Sequence, residues 1–161
     1  MFKNYFFILL LFLGGFLLLS TLSGKQMNSL LSSEPKIVTK NTQMIKVGDK
    51  KLEVEVVSDD IGLRNGLSNR EEIGSDGMLF IFPVEQTTSF WMKDMKFDLD
   101  IIWIKSGIVT EITKNVPRPI NKSDKLILYS PKSSIDMVLE VKSGDSDELG
   151  ISVGDQITLV E

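Results

Sequence analysis

The stretch from Gly77 to Phe82, GMLFIF, is apolar along its whole length and is followed at once by Pro83. A short, uninterrupted apolar run of this kind, bounded by a strand breaker, is typical of a β-strand that is covered on both faces of its sheet. Such a strand needs partners on both edges and an apolar layer on each side. The stretch therefore predicts the centre of a multistranded sheet.

Shorter strand patterns flank this stretch. Alternating apolar residues predict a hairpin of two strands, Met44 to Val47 and Lys51 to Val57, around the turn Gly48-Asp49-Lys50. Further strands are predicted at Thr87 to Lys93, Leu99 to Ile104, Ile108 to Thr113, Asp136 to Val141 and Gln156 to Val160, short helices at Ile61 to Asn65 and Ser146 to Leu149, and a long loop at Lys114 to Lys125. These elements predict a small, mainly β domain, an antiparallel barrel or sandwich with two short helices.

The N-terminal residues 1–23 do not belong to this domain. An uncharged apolar run from Tyr5 to Leu22 follows the basic residue Lys3. The run is long enough to span the ~30 Å hydrocarbon core of a bilayer as one helix, so it predicts an export signal or a membrane anchor. Its length favours an uncleaved anchor in the cytoplasmic membrane with the domain outside. If the segment is cleaved, the domain is secreted or periplasmic.

The remaining chain divides into a tether and one domain. Residues 24–43 are polar and rich in serine, without a sustained apolar period, as in a flexible linker. Residues 44–161 contain no internal repeat and form the single predicted domain.

The composition excludes several kinds of chemistry. The chain has no cysteine and no histidine, which removes disulfides, Ser-His-Asp and Cys-His catalysis, and zinc or copper sites built on imidazole or thiolate. Asp94, Asp98 and Asp100 could offer oxygen ligands to calcium, but their spacing fits no loop with a defined ligand order, so we predict no cofactor and no metal site. The net charge is −4 at pH 7, whereas a nucleic-acid binder needs a basic face. Nucleic acid is thus not an expected partner.

Five stretches resemble, in order, those of a known prokaryotic family, the domain of unknown function 192 (DUF192). They are RNGLSNR at Arg64 to Arg70, GMLFIFP at Gly77 to Pro83, FWMKDMKFDLDIIWI at Phe90 to Ile104, VLEV at Val138 to Val141, and GDQI at Gly154 to Ile157. The resemblance implies an exported, single-domain, mainly β protein, and it implies no particular activity. The chain departs from the family's usual residues at Ser68, Asp94, Met95 and Asp98, where Met, Asn, Thr and Pro are common.

The segment between the two tryptophans carries the most charge in a short space. Asp98 and Asp100 alternate with the apolar residues of the following strand, so they share a face with Ile102 and Ile104. Asp100 is therefore expected to enter the edge of the core, where it needs a cationic or hydrogen-bonding partner. The candidate cations are Arg64, Arg70 and Lys93. Two interpretations remain: a structural ion pair that fixes a hairpin, or a pocket in which the arginines meet a ligand.

Trp91 shares a face with Ser89 and Lys93, so it is expected either at the mouth of a pocket or in the core, whereas Trp103 is expected in the core. The candidate ligand-binding residues are Arg64, Arg70, Trp91, Lys93 and Asp100, and no catalytic residue is assigned. These features favour a non-catalytic binding or envelope-accessory module for a small molecule or an envelope glycan. The alternative is a carboxylate-dependent hydrolase of envelope polysaccharide that uses Asp98 and Asp100.

Overall fold

The computed structural model describes residues 41–121 and 124–160. Within them the strands are β1 (Thr42–Val47), β2 (Lys50–Val57), β3 (Gly77–Gln86), β4 (Phe90–Trp91), β5 (Leu99–Lys105), β6 (Ile108–Val116), β7 (Leu128–Tyr129), β8 (Ile135–Lys142) and β9 (Ile157–Leu159), and the helices are α1 (Asp60–Asn65) and α2 (Asp145–Glu148). The prediction of a mainly β domain with two short helices is confirmed. The predicted anchor and most of the predicted tether lie outside the described residues. None of the helices in the described ranges could cross a membrane.

Seven strands form one curled sheet in the order β6-β5-β8-β3-β2-β1-β9. All neighbours are antiparallel except β2 and β3, which are parallel and are joined through α1. The two edge strands approach each other at one end, where Ile108 bridges to Gln156 and the Ile157 amide donates to the Gly107 carbonyl at 2.7 Å. The sheet is therefore a half-barrel.

The central strands are buried on both faces, as the run at Gly77 to Phe82 predicts. On one face Leu79, Ile102 and Leu139 belong to a first apolar cluster. On the other face Phe80 and Trp103 belong to a second cluster, which also includes residues of the loop after α1 and of the small sheet. Trp103 is fully buried, in agreement with its predicted place in the core. The second cluster is the layer in which the candidate site lies.

The predicted hairpin between Thr87 to Lys93 and Leu99 to Ile104 is wrong. Only two residues of the first segment form a strand, β4, and it pairs with β7 in a separate two-stranded sheet instead of with β5. The chain leaves the strand direction at Asp94, which has a left-handed φ of 58°, a conformation that Asp and Asn tolerate better than most residues. The carbonyls of Lys93 and Asp94 then accept hydrogen bonds from the Ser68 hydroxyl at 2.9 Å and the Asn69 amide at 2.8 Å. The turn is thus tied to the loop after α1.

The predicted long loop begins later than expected. β6 continues to Val116, three residues beyond the predicted end, because the strand passes a register shift opposite Leu99 to Ile101 and then resumes its pairing with β5. Such a bulge leaves extra residues on one strand, which interrupts the regular alternation while the pairing continues beyond it.

Candidate functional site

A cavity of about 320 Å³ opens on the sheet face that carries the second apolar cluster. Its walls are formed by the end of α1 with the following turn, by two phenylalanines of β3 and by the segment that contains β4. Met95, from the turn after β4, and Glu140, from β8, complete the lining. The lining residues are Leu63, Arg64, Asn65, Gly66, Leu67, Ser68, Phe80, Phe82, Thr88, Ser89, Phe90, Trp91, Met95 and Glu140.

Local sequence fixes the α1 wall of the cavity. Asp59 starts the helix, because its carboxylate accepts hydrogen bonds from the amides of Ile61 and Gly62, both at 3.0 Å. Gly66 ends it with a φ of 46° and a ψ of −128°, which only glycine adopts readily. A Cβ atom at this position would lie 3.1 Å from the ring of Phe80. Glycine therefore lets the chain turn directly over the floor of the cavity.

Glu140 is the unusual residue of the cavity. It lies on the central strand β8 between Met78 of β3 and Ile101 of β5, and only 5% of its surface is exposed. Within the described residues its carboxyl has no hydrogen bond or ion pair. Every side-chain oxygen or nitrogen that is fully buried in that part of the chain does have a partner, so the Glu140 oxygens are not fully buried. The carboxyl oxygens must therefore touch the cavity. Burial raises the pKa of Glu140 to about 8, so most molecules carry a neutral acid here at pH 7.

The sequence that forms this cavity matches the model of a known family. The family model DUF192, described as "Uncharacterized ACR", matches residues 42–159. The chain belongs to the DUF192 family. No curated protein matches the sequence.

Two solved structures share the fold of this DUF192 domain. One, from Sinorhizobium meliloti 1021, is described as a candidate transcription regulator; it is 27% identical, with a TM-score of 0.67, over 76% of this chain and 96% of its own. The other, from Novosphingobium aromaticivorans DSM 12444, is a protein of unknown function; it is 24% identical, with a TM-score of 0.66, over 76% of this chain and 89% of its own. Both similarities support the fold.

The DUF192 domain brings two of the predicted ligand-binding residues to the cavity. Arg64 and Trp91 both line it. The Trp91 side chain is 50% exposed, which places it at the mouth and not in the core. Arg64 is exposed, and within the described residues it has no ion pair.

Two other predicted residues lie elsewhere. Arg70 donates two hydrogen bonds to Glu55, at 2.6 and 2.8 Å, and the bond to Glu55 raises the pKa of the guanidinium. This bidentate pair ties the loop after α1 to β2. Lys93 lines a separate hollow beside Asp94 and Lys96. Neither Arg70 nor Lys93 lines the cavity that contains Glu140.

Asp100 is fully buried, as its alternation with Ile102 and Ile104 predicts, but its partners differ from the predicted cations. Its carboxylate accepts hydrogen bonds from the amides of Asn115 at 2.8 Å, Gly144 at 3.1 Å and Ser146 at 3.3 Å, and from the Ser146 hydroxyl at 2.6 Å. Backbone amides stand where Arg64, Arg70 and Lys93 were expected, because the β6 bulge and the start of α2 both present unpaired N–H groups to this carboxylate.

Sequence reasoning missed Glu140. A signal was present, because the charged residue interrupts a strand, IDMVLEVK, whose other central residues are apolar on both faces. A carboxylate in such a strand must either find a partner or shift its pKa. The stretch VLEV carried the family resemblance, yet nothing in one sequence shows that Glu140 faces the segments that contain Arg64 and Trp91.

Proposed function

We propose that this DUF192 domain is a binding module for a small polar ligand, which it holds in the cavity between α1, β3 and β4. The observation that carries the proposal is the buried Glu140 carboxyl that faces the cavity without a protein partner in the described residues. The Glu140 oxygens reach the cavity, so the cavity is where this carboxyl finds its hydrogen-bond partners. A ligand that forms a hydrogen bond with the carboxyl would be held inside the cavity.

The stretches on which the family resemblance rests support the same site. Four of the five contribute lining residues: RNGLSNR, GMLFIFP, FWMKDMKFDLDIIWI and VLEV. They come from different parts of the chain and meet at one concavity. Two of the departures from the common family pattern, Ser68 and Met95, also line it. We infer that the cavity serves the family as a binding site and that these two side chains adapt it in this chain.

The geometry favours binding over the alternative of polysaccharide hydrolysis. Asp98 and Asp100 do not line the cavity, and the hydrogen bonds to Asp100 occupy both of its carboxylate oxygens. Asp98 accepts hydrogen bonds from the amide and guanidinium of Arg118 at 2.9 and 3.3 Å. A glycosidase needs two carboxyl groups on opposite sides of the scissile bond, and Glu140 is the one carboxyl that lines the described cavity.

The first prediction concerns filling of the cavity. Thr88→Trp should abolish binding of any cavity ligand, because an indole at this lining position would occupy the space that the ligand needs. The measurement is a thermal-shift screen of the full chain against sugars, wall fragments, small acids, amines and divalent ions, since a ligand that binds the native state raises the melting temperature.

Thr87→Trp is the matched control for this prediction. Thr87 is an exposed neighbour that does not line the cavity, so this variant should keep every ligand-induced shift that the wild type shows. A compound that shifts the melting temperature of Thr88→Trp as much as that of the wild type would place the ligand elsewhere.

We further propose that the apolar segment Tyr5 to Leu22 holds the domain outside the cytoplasm, at the membrane. The second prediction follows: in spheroplasts with an intact membrane, added protease should degrade the domain while a cytoplasmic marker protein stays intact. The chain should sediment with membranes and resist extraction by high salt, because the anchor is apolar. A product that is protected from protease until the spheroplasts are lysed would contradict the export proposal.

A further inference from the structure

We propose that the cavity binds a small zwitterion of the amino-acid type, with its ammonium group against Glu140 and its carboxylate against Arg64. This inference rests on the proposed binding function and specifies the class of ligand. Both residues line the same cavity, and in the described residues they pair neither with each other nor with any other charged group.

The two groups lie at different depths. Glu140 is almost completely buried on β8, whereas Arg64 is exposed at the end of α1. A monovalent cation could pair with Glu140 but would be repelled by the Arg64 guanidinium at the entrance. A monovalent anion could pair with Arg64 but would be repelled by an ionised Glu140. One molecule that carries both charges is complementary to both residues. A zwitterion is therefore complementary to Arg64 and to the ionised form of Glu140, which its ammonium group favours.

The walls of the cavity suit the rest of such a molecule. Phe90 meets Phe80 edge to face at a centroid distance of 5.2 Å and Phe82 at 6.5 Å, so the three rings pack against one another in the cavity wall. An ammonium group gains from contact with aromatic faces, and an apolar side chain gains from contact with Leu67 and Met95 in the same cavity. The volume of about 320 Å³ lies in the range of small-ligand sites.

The other charged groups of this face do not satisfy Glu140. Arg70 and Glu55, from the loop after α1 and from β2, are paired with each other. Lys142 follows Glu140 on β8 and is exposed at the end of the strand. Glu140 is thus held mainly as the neutral acid at pH 7, with its pKa raised to about 8 by burial. An ammonium ligand favours the ionised form, so its binding should release a proton and become tighter as the pH rises toward 8.

The test is isothermal titration calorimetry on the full chain in mild detergent, with leucine and two molecules that each keep one of its charges. Isoamylamine lacks the carboxylate, and 4-methylpentanoate lacks the ammonium group. We expect leucine to bind and each single-charge compound to bind at least ~10-fold more weakly. Between pH 6 and pH 7 the affinity for leucine should rise about 10-fold, because the ionised fraction of Glu140 rises by that factor below its pKa.

Variants separate the two contacts. Glu140→Gln and Arg64→Gln should each weaken leucine binding by ~10-fold or more, and only Glu140→Gln should also remove the pH dependence. Glu72→Gln, at an exposed position away from the cavity, is the control and should change neither.

Three outcomes would overturn the inference: no binding of leucine, equal binding of leucine and isoamylamine, or an unchanged pH dependence in Glu140→Gln. N-Acetylglucosamine serves as the uncharged probe. If N-acetylglucosamine binds, leucine does not, and Thr88→Trp abolishes the binding, then the proposed zwitterionic ligand is wrong but the cavity is still a binding site. If the wider ligand screen also yields no compound whose effect Thr88→Trp removes, the proposed function fails as well.

Discussion

Between about pH 5 and pH 8 the wild-type domain should lose roughly 3–5 kcal/mol of unfolding free energy that a Glu140→Gln variant keeps. The cause is the burial of Glu140, which raises its pKa from 4.5 to about 8 in the folded protein. Glutamine has nearly the same shape and cannot ionise. The variant should therefore be as stable as the wild type near pH 4.5 and more stable by this amount at pH 8.

The direction follows from proton counting. Below about pH 4.5 the Glu140 carboxyl is protonated in the folded and the unfolded chain, so it does not affect the pH dependence. Above this pH the unfolded chain releases the proton while the folded domain keeps it, and stability falls as the pH rises. The fall ends at about pH 8, where the folded domain also releases the proton.

Other carboxyls with shifted pKa values also affect how stability depends on pH. Hydrogen bonds from backbone amides lower the pKa of Asp59 and Asp124, and the bond from Lys105 lowers that of Glu85, so the stability that they contribute is lost only in acid. Burial raises the pKa of Asp145, which adds a fall in stability as the pH rises from the acid range. These contributions are the same in both proteins and cancel in the difference.

Urea denaturation followed by tryptophan fluorescence measures the effect. Both tryptophans of the chain, Trp91 and Trp103, lie in the domain, so the signal reports on its unfolding alone. Glu72→Gln, at an exposed position, should follow the wild-type curve. Parallel pH profiles for the wild type and Glu140→Gln would show that the carboxyl ionises normally in the folded state.

Much of the fold could be predicted because local patterns determine it. The apolar run Gly77 to Phe82 has no polar face, and its strand lies between two others with apolar clusters on both sides. The pairing of β4 with β7 could not be predicted in this way. It joins Phe90 to Tyr129 across β5, β6 and the loop that follows them, and two-residue strands leave almost no periodic signal.

In the candidate site, the sequence could predict the burial of a residue only where its place in the alternation of a strand determines which face it lies on. The alternation of Asp100 with Ile102 and Ile104 was enough to predict its burial. Its partners were not predictable, because they are mainly backbone amides, which every residue except proline carries and which sequence therefore does not distinguish. The cavity depends on the meeting of α1, β4 and β8, so Glu140 gains its importance from contacts that are distant in sequence.

The buried carboxylate of Asp100 supports the other large prediction. Asp100→Ala should destabilise the domain by about 3–5 kcal/mol, because it leaves two buried donors of Ser146 and the partly buried amides of Asn115 and Gly144 without their acceptor. These donors belong to the β6 bulge and to the start of α2, which the carboxylate holds together. The loss of one side chain therefore affects two elements.

Two variants in the same segment provide the comparison, measured by urea denaturation of the three proteins. Asp94→Asn keeps a residue that tolerates the left-handed φ of 58° at an exposed turn, so it should change stability by no more than about 0.5 kcal/mol. Asp98→Ala removes the exposed contacts with Arg118 and should cost about 1 kcal/mol. If the Asp100→Ala midpoint equals that of Asp94→Asn, the structural role of Asp100 is wrong.

The same variant separates a structural role from a ligand-binding role. Because Asp100 does not line the cavity, the folded Asp100→Ala protein should still bind every ligand whose binding depends on Thr88. A ligand site built on Asp98 and Asp100 would instead lose its ligand when the carboxylate is removed.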